Sequence, residues 1–91
     1  MAIGQPRGSR IFQVVPGKEV HEAWRETDGK YTAWLENSGK TAAGIEADGK
    51  GPSMSVGSGE KRRVDFSRTL GLHGYDNAPG TTVKIEVFDA I

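Results

Sequence analysis

No cysteine occurs in the 91 residues, so neither a disulfide nor a thiolate-bound metal holds this chain together. Histidine is almost as scarce, and His21 with His73 is too small a set for a His-rich zinc site. An excess of one charge is missing too. Twelve Lys and Arg balance twelve Asp and Glu, so no long-range field points toward nucleic acid or an anionic membrane. No apolar run approaches the roughly 20 residues of a helical membrane span. The opening Met1-Ala2-Ile3-Gly4-Gln5-Pro6-Arg7-Gly8 lacks the apolar middle of a secretory signal. The expectation is a protein that acts in the cytoplasm or in a virion. Helical periodicity is absent as well; the nearest approach, 19–25, runs into Asp28-Gly29 too early to make a stable helix.

What is abundant is glycine, 13 of 91 residues, about double the usual share. Four of these glycines keep one register: Asp28-Gly29-Lys30, Ser38-Gly39-Lys40, Asp48-Gly49-Lys50 and Ser58-Gly59-Glu60. A turn every ten residues with a run of extended chain between is the rhythm of a β-meander. The intervening runs YTAWLE, TAAGIE, GPSMSV and KRRVDF share almost no inward-facing identities, so the period is one of strand length and not a functional repeat.

The length fits one small domain. Residues 1–10, with Gly4, Pro6, Gly8, Arg7 and Arg10, have little to bury and read as an extended N-terminal arm preceding a domain at 11–91. A neighbouring subunit is the natural support for such an arm, and packing on its own domain is the alternative. Strands are expected at 11–15, 20–27, 30–36, 41–47, 53–56, 61–70 and 81–90, with 71–80 a long loop. Gly51-Pro52 marks 53–56 as an edge strand. Asp28-Gly29 predicts a type I′ hairpin between 20–27 and 30–36. That pairing puts Val20, Trp24, Tyr31, Ala33 and Leu35 on one face, and His21, Ala23, Arg25, Thr32 and Trp34 on the other. Along 81–90, Val83, Ile85 and Val87 point inward until Phe88 breaks the alternation. About seven short strands separated by turns predict an all-β fold, a small sandwich or barrel containing a central meander.

The run Tyr31-Thr32-Ala33-Trp34-Leu35-Glu36-Asn37-Ser38-Gly39, the later Gly57-Ser58-Gly59-Glu60 turn and the strand beginning Val64-Asp65-Phe66 resemble immunoglobulin-like adhesion modules of bacterial surface proteins. The resemblance spans residues 31–90 and implies an Ig-like β-sandwich. In its profile, small, cysteine-free and β-rich with a terminal arm, the chain is also similar to phage capsid decoration, or cement, proteins.

Three constellations invite chemistry. Trp34 beside Arg25 and His21 suits a protein anchor or a sugar platform, set against the plainer reading of core or surface. Lys61-Arg62-Arg63 is a run of three cations, but strand alternation turns Arg62 away from its neighbours; a solvated edge outranks contact with phosphate. Asp28 and Asp48 lie in turns without the ligand spacing of a calcium loop, and no metal or other cofactor is expected. His73, in the expected loop with Tyr75 and Asp76, has no nucleophile placed beside it, so no catalytic residue is assigned. The resulting expectation is a non-enzymatic assembly protein that binds copies of itself or a larger lattice such as a capsid. Arg7, Arg10, Arg25, Trp34 and Phe88 are its partner-binding candidates. The alternative is a carbohydrate-binding module using Trp34, Tyr75 and His73.

Overall fold

The computed structural model describes residues 3–91, with the side chains of 51–53 outside the description. It is an all-β sandwich of eight strands. In chain order these are β1 (Ile3–Val14), β2 (His21–Arg25), β3 (Tyr31–Asn37), β4 (Ala43–Ala47), β5 (Lys50–Val56), β6 (Lys61–Phe66), β7 (Thr69–His73) and β8 (Thr81–Ala90). One antiparallel sheet has the order β1-β8-β3-β6, the other β2-β7-β4-β5. Alternation along the strands builds the core. The first sheet contributes Ala33, Leu35, Val64, Val83, Ile85 and Val87, and the second Ala23, Ala43, Ile45, Val56, Leu70 and Leu72. Tyr31 and Phe66, with ring centroids 5.5 Å apart, close one end.

The strand order is not that of a meander. The expected hairpin between 20–27 and 30–36 does not form, because β2 pairs with β7 in one sheet while β3 pairs with β6 and β8 in the other. The chain instead crosses between sheets at Asp28-Gly29. That crossing is hydrogen-bonded to a second one, from β6 to β7: the Glu26 N–H donates to the Arg68 carbonyl and the Gly29 N–H to that of Ser67. The dipeptide that does make a tight hairpin is the other Asp-Gly. Asp48 at φ 58° and Gly49 at φ 71° have the paired positive φ of a type I′ turn and join β4 to β5. Three of the four turns in the ten-residue register are therefore crossings between sheets. Burial of Ala33 and Leu35 on one side and Ala23 on the other needs two layers, and that demand overrides the local turn preference.

Two further expectations change. The 61–70 run is two strands broken at Ser67-Arg68, and the second continues through His73 in place of the expected loop. The break is held by Asp48, whose carboxylate accepts from the backbone N–H groups of Ser67, Arg68 and Thr69 at 2.6–3.1 Å. Burial alone would raise this carboxyl, but the N–H groups of Arg68, Thr69 and Ser67, with Lys50 nearby, hold it below the usual carboxylate range. The N-terminal segment is extended, yet from Ile3 onward it is the outer strand of its own sheet, paired with β8 from Ile3↔Ala90 to Val14↔Thr81. Register breaks on either side of Pro6 accommodate a residue with no N–H to give. Met1 and Ala2 lie outside the described residues.

At the opposite end from Asp48, Asn37 terminates β3 with every hydrogen-bonding position of its side chain used. Its Nδ2 donates to the carbonyls of Thr41 (2.8 Å) and Val56 (3.0 Å). Its Oδ1 accepts from the Gly39 N–H (2.9 Å), an Asx turn, and from the Thr81 hydroxyl (2.7 Å). The Asn37 backbone carbonyl takes the Gly59 N–H, and the Asn37 N–H donates to Glu60. The Asn-x-Gly and Gly-Glu elements that carry the adhesion-module resemblance are thus one joint between two crossings.

Candidate interaction face

The five candidate residues fall into two groups. Arg7, Arg10 and Arg25 are engaged within the chain. Arg7 donates to Glu26 (2.9 Å), lies 3.7 Å from Asp89 and sits over the Tyr31 ring. Glu26 also accepts from the Trp24 indole at 3.0 Å. The hydrogen bond from Arg7 and then that from Trp24 hold the Glu26 carboxyl below its ordinary range against the effect of burial. Arg10 donates to the Ala23 carbonyl at 2.9 Å. Ala23 lies at the register break of β2, so Arg10 bridges the edge strands of the two sheets. Arg25 pairs with Glu22 at 2.6 Å on the second sheet, and the expected Arg25–His21–Trp34 face is not assembled, because Trp34 stands on the first.

The Lys61-Arg62-Arg63 run is an edge, as its alternation implies. Arg62 reaches the Ser55 carbonyl of β5 at 3.1 Å, bridging the second open side of the sandwich as Arg10 bridges the first. His73 is buried on β7, its Nδ1 2.7 Å from the Gly74 carbonyl and its ring edge-on to Tyr75 at 5.3 Å. Its ring occupies the space a side chain at Gly44 would need. The expected loop histidine is a packing residue, and it stands apart from Trp34.

Trp34 and Phe88 do come together. Both project from the outer face of the β1-β8-β3-β6 sheet, where directly paired residues share a side. One row across this face reads Ser9, Glu86, Trp34, Arg63; the next reads Ile11, Lys84, Glu36, Lys61; on the other flank stand Pro6, Phe88, Thr32 and Asp65. Trp34 and Phe88 are half-buried, and Ile11 is 60% exposed. The Lys61 ammonium lies 5.4 Å from the Trp34 ring centroid, a cation–π contact. Thr32 is sealed beneath this face, donating to Asp65 at 2.6 Å, while Arg63 lies 3.7 Å from the same carboxylate. Aromatics ringed by balanced charges on a flat sheet have the composition of a protein contact surface. Ile11, Glu36, Lys84 and Glu86 are not among the candidates that sequence reasoning finds. The alternation of 81–90 already turns Lys84 and Glu86 outward, but only the pairing of β8 with β3 and β1 places them beside Trp34 and Ile11.

The opposite outer face is partly covered by the chain itself. The 15–20 connection lies over it: a Cβ on Gly71 would come 2.6 Å from Val20, Gly74 packs on the Val15 carbonyl, and the Gly17 N–H donates to Tyr75.

Among the described residues, no three His, Cys, Asp or Glu side chains converge as a metal site. Comparison with protein families and with curated proteins finds no match. Among solved structures, the chain is similar to one described under "Bacillus endospore appendages form a novel family of disulfide-linked pili". That likeness has 13% sequence identity and a TM-score of 0.57, and covers 100% of this chain and 95% of the other; it is a likeness of fold.

Proposed function

We propose that this chain is a non-enzymatic structural subunit that works by protein–protein contact within a larger assembly. The observation that carries the proposal is the Trp34–Phe88–Ile11 face: large apolar side chains left outside a completed core, ringed by charges of both signs. The fold likeness to a pilus protein supports the same class of role. That protein's description speaks of disulfide linkage; a chain with no cysteine joins its neighbours by burial and ion pairing instead. A filament and a capsid surface are both lattices of this kind. Capsid decoration is the form of the proposal that the sequence profile favours, and a pilus-like filament the form that the fold favours.

Sedimentation velocity over a wide range of concentration, together with electron microscopy of the most concentrated samples, tests the proposal. The full chain is expected to associate. A Trp34→Ser, Phe88→Ser variant that keeps its circular dichroism spectrum is expected to remain monomeric. Equal association by both proteins would remove the face from the account. Glycan binding that disappears in the same variant, without any change in association, would favour the carbohydrate reading, of whose residues His73 is buried and apart from Trp34.

A further inference from the structure

Resting on that reading, we infer that the occupant of the Trp34 face is a second copy of this chain, seated by a two-fold axis parallel to β3 and β8 and lying between them. The charge pattern selects this partner. Face charges sum to zero, with Lys61, Arg63 and Lys84 against Glu36, Asp65 and Glu86, so the face neither repels itself nor calls for a strongly charged partner. Orientation follows from the rows. Under this axis β3 of one copy lies over β8 of the other. Glu36 faces Lys84 of the second copy, and symmetry makes that pair twice. Trp34 faces Glu86 of the second copy, a carboxylate its indole N–H can reach, and Ile11 faces the stem of Lys61. An axis perpendicular to the strands through the Trp34 row would instead set Glu86 against Glu86 and Arg63 against Arg63. Repulsion disfavours it. Stacking two sheets face to face with strands nearly aligned is a standard packing mode.

The sheet edges offer poor competing contacts. All four edge strands carry features that discourage strand addition. β1 has register breaks around Pro6, with Arg7 and Arg10 on it, and β2 is broken at Ala23. β6 carries Lys61, Arg62 and Arg63, and β5 contains Pro52 in its sequence. Part of the outer face of the second sheet, at Gly71 of β7, lies under Val20 of the 15–20 connection.

Charge reversal across the axis tests both the partner and the orientation. Glu36→Lys sets ammonium against ammonium at both symmetry-related pairs, and Lys84→Glu sets carboxylate against carboxylate at both. Each variant alone is expected to associate about tenfold or more weakly than the unmodified chain. In an equimolar mixture, a dimer with one copy of each variant holds two ammonium–carboxylate pairs, so mixing the two variants should restore association. The double variant Glu36→Lys, Lys84→Glu likewise restores opposite charges at both pairs, with their direction exchanged. Its association should return to within about threefold of the unmodified chain. If the double variant stays dissociated while the Trp34→Ser, Phe88→Ser variant still abolishes association, the face is used in another orientation or by another protein, and this inference fails while the proposed function stands. If the serine variant also changes nothing, both fail. A chain that is monomeric at every concentration overturns the inference as well.

Discussion

Replacing Asn37 by alanine tests whether the joint between the two crossings holds the sandwich closed. The side chain is fully buried and makes four hydrogen bonds. Two of its partners, the Val56 carbonyl and the Thr81 hydroxyl, lie in dry surroundings. Each would be left unsatisfied at a cost of about 1–3 kcal/mol. The Thr41 carbonyl and the Gly39 N–H are nearer water and would lose roughly 0.5 kcal/mol each. The expected loss is about 4 kcal/mol, against a total of about 5–14 kcal/mol for a domain of this size. With a urea m-value of ~1.5 kcal/mol/M, the midpoint should fall by about 2.7 M at unchanged m. Asn37→Asp keeps the shape but turns carboxylate oxygens toward the Thr41 and Val56 carbonyls. Burial and those carbonyls favour its neutral form, so it should be as damaging as alanine at neutral pH and recover in part in acid. A loss under about 1 kcal/mol for Asn37→Ala would show that the crossings are held by core burial alone and refute the reasoning.

Gly44→Ala should destabilise by about 2 kcal/mol or more through collision with the His73 ring, and Gly44→Ala, His73→Ala together should lose less than the sum of the single changes. Additive losses in thermal melts would exclude that contact. Asp48 and Glu26 both titrate below their ordinary values in the folded protein, so the stability they contribute is present above those values and drains away as pH falls through the depressed ones. Asp48→Asn keeps a residue that tolerates the positive φ and one acceptor oxygen, and should flatten the acid limb of stability against pH below about 4. An acid limb as steep as that of the unmodified chain would count against Asp48 as its source.

Much of the layer structure is legible in residue order. The alternation of Val83, Ile85 and Val87, the Pro52 edge and the absence of helical periodicity specify a two-layer β fold, and the sandwich follows. Partner strands are not legible. Asp28-Gly29 and Asp48-Gly49 are identical dipeptides with lysine after each, yet one crosses between sheets and the other turns a hairpin. The difference lies in Ser67, Arg68 and Thr69, whose backbone N–H groups bind the carboxylate of Asp48, and in the Ser67 and Arg68 carbonyls, which take the N–H groups of Gly29 and Glu26. These contacts join residues far apart in the chain, beyond the reach of any local pattern. For the same reason Trp34 is identifiable as a candidate but not its neighbours: Arg25 lies on the preceding strand yet in another sheet, while Ile11 and Lys84 lie far off in sequence and share its surface.

The arginines bear on how such a chain can assemble without a disulfide. Arg10, expected to meet a partner, and Arg62 reach across the two open sides of the sandwich, each ending on a carbonyl of an edge strand in the opposite sheet. A guanidinium placed there satisfies a backbone acceptor and sets charge where a neighbour's strand would have to dock. Arg7 adds a third tie, through Glu26 to the Trp24 indole. Closing the sides in this way commits the cations to the chain's own edges and leaves side-chain recognition to a face. On the first sheet that face offers Trp34, Phe88 and Ile11, with no connection laid over them. A contact made by side chains on a flat face is reversible and tuned by salt, whereas strand addition commits the backbone. The ionic part of such association should therefore weaken as ionic strength rises, while its aromatic part persists.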